Sequence, residues 1–213
     1  MSVILHGAAY SVYVRIARLA LAEKGVACEL REVDIFAEGG PGAGHMARHP
    51  FGKIPVFEHD GFMLYETSAI CRYVDDAFEG PSLLPGAAKA RARVAQVIGL
   101  LDSYGYRPMV WEVYVPLSGD GAPDNPDPQA VACALERSEI VLCELERLAG
   151  EGLVLNGDEI SLADLHAAPM LAYFMATAPG REAVANHPRL SAWATAMRRR
   201  PSVEETRPPE AAW

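Results

Sequence analysis

The sequence predicts an α/β domain followed by an all-α domain. Three observations point there. Short apolar runs of strand length alternate with helical spacing over residues 1–80. The stretch Gly80-Pro81-Ser82-Leu83-Leu84-Pro85-Gly86 then punctuates the chain with two glycines and two prolines. Beyond it strand signals almost vanish and helical sets dominate. The expected organisation is residues 1–80, a linker at 81–86, and a helical domain over 87–213.

The elements follow in order. Val3-Ile4-Leu5 is an apolar run ending at Gly7, suited to a buried strand. Val14, Ala17 and Leu21 then share a helix face, and Gly25 ends that helix after Glu23-Lys24. Cys28 to Val33 alternates as a second strand, and the glycine-rich Gly39 to Gly44 reads as an irregular loop. Ile54–Phe57 and Phe62–Tyr65 are β-prone, and His59-Asp60-Gly61 between them is a hairpin signal. Glu66 to Phe78 returns to helical spacing through Ile70, Tyr73 and Val74. The order βαβ, loop, ββα implies a mixed sheet with helices packed on it.

In the second part, Val94, Val97, Ile98 and Leu101 form a full i, i+3, i+4, i+7 set. Val141, Leu145 and Leu148 continue the pattern in another helix, after a polar loop at Gly119 to Pro128. Leu190, Trp193, Ala194 and Met197 make a third set, ended by Pro201. Ser161-Leu162-Ala163-Asp164 is an Asp variant of the capping box, flanked by Ile160 and Leu165 at staple spacing. Such a cap is worth roughly 1 kcal/mol and is structural chemistry.

Composition narrows the function. The 213 residues are half apolar and 22% charged, with net charge −9. The charge is spread evenly, −4 over residues 1–85 and −5 over the rest, so neither half offers a basic surface for nucleic acid or membrane. Cys28, Cys71, Cys133 and Cys143 show no C-x-x-C spacing and read as free thiols of a reducing compartment. The N-terminus lacks a basic leader pattern, and the apolar stretch Leu165–Ala178 is too short to span a bilayer. A cytoplasmic protein is the expectation. His45 and His49 are four apart, but no third ligand is evident, so no metal is expected.

Candidate chemistry concentrates in three places. Ser11 follows a strand and a turn at the start of a helix, as an N-cap or as a reactive-site hydroxyl. Phe51-Gly52-Lys53-Ile54-Pro55-Val56-Phe57 sets a cation and a proline at a strand start. Glu66-Thr67-Ser68 opens a helix directly after a strand, again with capping as the simpler role.

Together these stretches resemble the cytosolic glutathione S-transferase family. The residues that do so are Leu5-His6-Gly7…Ser11-x-x-Val14-Arg15, His49-Pro50-Phe51-Gly52-Lys53-Ile54-Pro55-Val56 and Tyr65-Glu66-Thr67-Ser68-Ala69-Ile70-x-x-Tyr73. Ser82-Leu83-Leu84-Pro85, Ile160-Ser161-Leu162-Ala163-Asp164, Pro188-x-Leu190-x-x-Trp193 and Arg200-Pro201-Ser202-Val203 follow in family order. The pattern is similar to bacterial, serine-type (theta- or phi-like) members. Val12, Thr67 and His49 stand where such members often have Pro, Ser and Asn.

The resemblance implies a thioredoxin-like first domain and an all-α second domain, glutathione as co-substrate, no metal, and a homodimer. It implies that Ser11 stabilises the glutathione thiolate and that Pro55 is cis, with the Ile54 backbone pairing with the cysteinyl backbone. Lys53 would meet the glycyl carboxylate, Glu66 the ammonium, and Thr67 the γ-glutamyl carboxylate. Asp102 would reach the ammonium across a dimer interface, or is simply a solvated helix carboxylate. Tyr10 neighbours Ser11, but the spacing from Ser11 to Arg15 fits the serine type. Tyr106, Met109, Val110, Val113 and Tyr114, with Tyr10, form either a site for an apolar electrophile or ordinary helix core. The activity implied is conjugation of glutathione to that electrophile. The alternatives are a glutathione-dependent reductase, peroxidase or isomerase, or a non-catalytic binding module.

Overall fold

The computed structural model describes residues 2–118, 122–208 and 213. The chain divides into two compact units, the first running to Leu83 and the second from Leu84 to Glu204.

The first unit contains β1 (Val3–Gly7), α1 (Val12–Glu23), β2 (Glu29–Glu32), α2 (Gly42–Met46), β3 (Val56–His59), β4 (Phe62–Tyr65) and α3 (Thr67–Ala77). Its four-stranded sheet has the order β2-β1-β3-β4. β1 and β2 run parallel, and the other two pairs are antiparallel. This is the mixed βαβ-ββα sheet of a thioredoxin-like fold. β1 is buried along its whole length, as its apolar run requires.

Local chemistry sets the element ends. At the end of α1, the Gly25 N–H bonds the Ala22 carbonyl and the Val26 N–H the Leu21 carbonyl. Gly25 sits at φ 67, which completes a Schellman motif. The β3–β4 hairpin turns through Asp60 (φ 47) and Gly61 (φ 88), the two positive-φ positions of a two-residue turn. β3 begins at Val56, two residues later than the apolar run suggested. Pro55 has no N–H to give to a ladder. The stretch expected to be an irregular loop at 39–44 instead runs into the one-turn helix α2.

The Pro/Gly stretch after α3 is pinned to the first unit. The buried Lys24 ammonium donates to the Asp75 carbonyl (3.1 Å), Asp75 Oδ1 (3.3 Å) and the Pro81 carbonyl (3.1 Å). Asp75 Oδ1 also accepts the Leu83 N–H (2.7 Å). Gly80, at φ 119, passes so close that a Cβ there would lie 3.3 Å from the Lys24 carbonyl oxygen.

The second unit is helical. α4 (Ala88–Leu100) continues through π-helical turns at Leu101–Gly105 and Arg107–Tyr114 into α5 (Val115–Ser118). In these turns the Tyr106 N–H bonds the Leu101 carbonyl and the Val115 N–H the Val110 carbonyl. Pro108 has no N–H to donate to the carbonyl four residues back, so an α-helical frame would be broken here in any case. Of the predicted loop at 119–128, residues 119–121 lie outside the described residues, and 122–127 form no helix or strand. α6 (Pro128–Ala149), α7 (Leu162–Phe174), α8 (Ala178–Ala185), α9 (Pro188–Met197) and α10 (Pro201–Glu205) follow. Every residue of α7 is buried, so its apolar run makes the centre of this unit. Among the described residues no helix is long and apolar enough to cross a membrane.

α7 also holds a buried imidazole. His166 Nδ1 lies 2.8 Å from the Leu162 carbonyl, which can only accept, so Nδ1 holds the proton. Nε2 is buried without a hydrogen-bond partner. Burial pushes the His166 pKa from 6.5 down to about 4. The unfolded chain binds the extra proton first, so the folded state loses stability as pH falls from 6.5 to about 4. At about 1.36 kcal/mol per pKa unit this approaches ~3 kcal/mol. Urea titrations at pH 7 and pH 4.5 are expected to show that loss in the native chain. In His166→Met it should be smaller by most of that amount; equal losses would assign the acid sensitivity elsewhere.

Candidate functional site

The sheet register brings the predicted residues of the first unit together. His6 pairs with Val56, and Val56 pairs with Tyr65. The residues just outside this row are therefore Gly7, Ile54-Pro55 and Glu66, at one end of the sheet. Gly7 packs so tightly that a Cβ would lie 2.4 Å from Val14 Cγ2 and 3.5 Å from Ile54 Cβ. That contact sets the start of α1, with Ser11 as its N-cap, beside Ile54.

Ser11 adopts the extended N-cap conformation (φ −71, ψ 128) and is half-buried. Its oxygen accepts the Val14 N–H at 3.4 Å, a long and weak bond. Acceptance uses a lone pair and leaves the hydroxyl proton available to donate. A donor hydroxyl beside the positive end of a 12-residue helix suits an anion. Tyr10 is exposed and stacks on Phe36 with centroids 6.4 Å apart. Partial burial, then Asp34 and Glu32, hold its phenol above the ordinary tyrosine pKa.

The Ile54–Pro55 bond is cis. Ile54 precedes the first ladder residue of β3, so its backbone lies beyond the sheet's own pairing. Lys53 is exposed, and its carbonyl accepts from His45 Nε2 at 2.7 Å. His45 is buried in α2, so this bond ties that helix to the strand entry. The His49 ring lies 4.6 Å from that of Tyr65, which bonds the same segment to the end of β4. Burial lowers the His49 pKa, opposed by Glu66.

Glu66 is the N-cap of α3 and sits at φ 71, ψ 111. A non-glycine residue in this region costs of order 1–3 kcal/mol, and such strain clusters at functional sites. Here it turns the exposed Glu66 away from the strand line while its carbonyl accepts the Ile70 N–H at 2.9 Å. Thr67, 8% exposed, follows as the first residue of α3, so its N–H belongs to the positive end of that helix. Neither the His45 anchor nor the strain at Glu66 has a local signal in the sequence, where the spacing of His45 and His49 suggests only a pair of metal ligands.

Asp102, Tyr106, Met109, Val110, Val113 and Tyr114 belong to the second unit, in or beside the π-helical turns. Asp102 is exposed. Met109 and Val113 are fully buried, and Val110 and Tyr114 nearly so. Tyr114 packs on Tyr173 with centroids 4.6 Å apart, and Tyr106 meets Trp111 edge-on at 6.5 Å.

One sheet end thus presents a donor hydroxyl, two helix N-termini, a lysine, a carboxylate and an unpaired strand entry. Those groups suit a short extended ligand with an anion at each end, a cation and a backbone to pair.

Comparison with known proteins agrees. Residues 5–82 match the model of the glutathione S-transferase N-terminal domain, and 109–201 that of the C-terminal domain. The chain is 31% identical over 194 residues to glutathione S-transferase F6 of Arabidopsis thaliana, covering 88% of this chain and 90% of that protein. It is 34% identical over 200 residues to glutathione S-transferase 3 of Zea mays, covering 91% and 87%. Among solved structures, glutathione transferase F7 from Populus trichocarpa superposes with a TM-score of 0.83 at 29% identity, over 96% and 97% of the two chains. Maize glutathione S-transferase I in complex with an atrazine–glutathione conjugate gives 0.83 at 27% identity, over 97% and 96%. With both family domains matched in order on a thioredoxin-like sheet and a helical second unit, the chain belongs to the glutathione S-transferase family.

Proposed function

We propose that the protein joins the thiolate of glutathione to an apolar electrophile, with Ser11 as the group that stabilises the thiolate. The observation that carries this is the row His6–Val56–Tyr65, which leaves Gly7, Ile54-Pro55 and Glu66-Thr67 just beyond one sheet end, with Ser11 capping α1 four residues after Gly7. Free cysteine titrates near 8.5, and only the thiolate attacks. A hydrogen bond from the Ser11 hydroxyl to that charge contributes roughly 1.5–3 kcal/mol, lowering the thiol pKa by about one to two units. In the reaction the sulfur forms a bond to the electrophilic carbon. With an aryl halide the halide leaves with its electron pair, and the thiol proton goes to solvent.

The ligand's other groups are assigned by charge. Lys53 takes the glycyl carboxylate, Glu66 the ammonium, and Thr67 with the α3 N-terminus the γ-glutamyl carboxylate. The Ile54 backbone pairs with the cysteinyl unit as an added strand rung. Residues 1–80 thus form the glutathione-binding domain. The domain beyond the 81–86 stretch supplies the electrophile site through Tyr106, Met109, Val110, Val113 and Tyr114. Asp102 serves the ammonium across the interface of a homodimer, and the protein conjugates glutathione in the cytoplasm with no metal at that site.

The serine-type, phi-like class is supported by Ser11 and by relatives named F6 and F7. A bacterial source is in keeping with the similar Rhodospirillum rubrum structure (TM-score 0.79, 26% identity). The acceptor class rests on the maize neighbour's atrazine conjugate.

Purified protein is expected to be retained on immobilised glutathione and to consume glutathione with an aryl chloride. It should elute in gel filtration at twice the 23.0 kDa chain mass. Retention without conjugation would point to a binding module. Failure to bind glutathione would overturn the reading of the site.

A further inference from the structure

We propose that Glu139, Cys143 and His187 form a binding site for a thiophilic divalent cation, with zinc the best fit. The three residues lie in the second unit and have no part in the glutathione site. Glu139 and Cys143 are one turn apart on α6, so both project from one face. His187 is the N-cap of α9, which packs against α6. Glu139 Oε1 lies 3.0 Å from His187 Nε2 and 3.5 Å from Cys143 Sγ. The ligand atoms of all three lie within 4.8 Å of one another. A tetrahedral zinc centre with Zn–O and Zn–N near 2.0–2.2 Å and Zn–S near 2.3 Å separates its ligand atoms by about 3.3–3.6 Å. Small side-chain rotations reach that geometry.

The cluster is arranged as a cation site would be. His187 is buried and its backbone is fixed at both ends: its N–H bonds the Val184 carbonyl (3.0 Å) and its carbonyl accepts the Ser191 N–H (2.9 Å). The imidazole is thus preset, while Glu139 and Cys143 are exposed and adjust to it. Exposure leaves room for water as the fourth ligand. The neighbouring cations are engaged elsewhere. Arg147 pairs with Glu144 (2.7 Å) and Glu151 (2.8 Å), and Arg189 with Glu146 (3.3 Å). Carboxylate, thiolate and neutral imidazole together bring two negative charges to one divalent ion.

The metal-free cluster holds two protons where the ion would sit. The Cys143 thiol and the His187 Nε2–H both donate to the Glu139 carboxylate. Cation binding displaces the thiol proton to solvent as the sulfur becomes a thiolate ligand, and the imidazole proton moves from Nε2 to Nδ1 so that Nε2 can ligate. Thiolate with imidazole and one carboxylate selects zinc over magnesium or calcium, which prefer oxygen donors.

The test uses the full chain, reduced, stripped with a chelator and free of glutathione. Titration with Co²⁺ is expected to raise a thiolate-to-cobalt charge-transfer band and tetrahedral d–d absorption, saturating at one ion per chain. Zn²⁺ should abolish both by displacement, and Zn²⁺ added to the metal-free chain should release about one proton per ion. Cys143→Ser is expected to remove the charge-transfer band. Both Cys143→Ser and Glu139→Gln should weaken Zn²⁺ binding by at least about tenfold, the lower limit seen even for partners outside the ligand set. These positions are exposed, so the variants should melt like the native chain. Cys133→Ser should keep the band. Absence of the band in the native chain, its survival in Cys143→Ser, or its loss in Cys133→Ser would each overturn the site.

Discussion

Ser11→Ala is expected to lower kcat/KM for conjugation by about 10- to 150-fold. The range is the 1.5–3 kcal/mol of a hydrogen bond to a charged group, converted at about 1.36 kcal/mol per tenfold. The same loss should raise the pKa of bound glutathione by about one to two units. The rising limb of the pH–rate profile then moves to higher pH, and part of the lost rate returns in alkaline buffer. Stability should change little. The cap bond to the Val14 N–H is long, at 3.4 Å, so less than the usual ~1 kcal/mol of an N-cap is at stake. Ser11→Gly separates the two roles, since glycine is tolerated as a cap but donates nothing. Ser11→Thr keeps a hydroxyl and should retain more activity than either. Unchanged turnover in Ser11→Ala, with an unshifted pH profile, would assign the site's chemistry to another group.

Asp164→Ala is expected to be the most damaging single change to stability. The sequence showed Asp164 only as the far half of a helix cap. In the folded chain it is 1% exposed, and its carboxylate accepts three hydrogen bonds. The donors are the Ser161 N–H (2.8 Å), the Ser161 hydroxyl (2.6 Å) and the Trp193 indole N–H (2.7 Å). Trp193 comes from α9, so the carboxylate joins two helices as well as capping α7. Removing it leaves buried donors unpaired, each costing about 1–3 kcal/mol and not additively. A total of about 3–5 kcal/mol is expected. At about 2–4 °C per kcal/mol for a chain of this size, the melting temperature should fall by roughly 6–20 °C. Trp193→Phe removes one donor together with its demand and should cost less. In the double variant the two losses should fall short of their sum. A drop under ~1 kcal/mol in Asp164→Ala would mean that the carboxylate acts only as a local cap.

Much of the fold was legible because its signals are local. Asp60-Gly61 set the hairpin through positive φ, Gly25 ended α1, and the apolar spacing of Val94, Val97 and Leu101 placed the first long helix. The role proposed for Ser11 was legible only as one of two readings of that residue. A cap and a reactive hydroxyl look alike in a sequence, and in the structure Ser11 serves as the cap while keeping a proton to donate. The 39–44 stretch was misread because its glycines mask a one-turn helix that depends on a distant partner. His45 in α2 is held by the Lys53 carbonyl, eight residues on. The π-helical frame from Leu101 to Tyr114 was likewise invisible to spacing that assumes 3.6 residues per turn.

The sequence by itself determined the two-part organisation, the order of strands and helices, the ends of most elements and the family. Each depends on neighbours within a few residues or on an ordered set of short motifs. Tertiary structure alone decided what meets what. The register His6–Val56–Tyr65 sets Gly7, Ile54 and Glu66 from three chain segments at one sheet end, where Gly7 packs on Val14 of α1. Packing of α9 delivers Trp193 to Asp164, and His187 to Glu139 and Cys143. A side chain's periodicity gives the face on which it stands. Its partner across the core is fixed by sheet register and helix packing, which no local signal encodes.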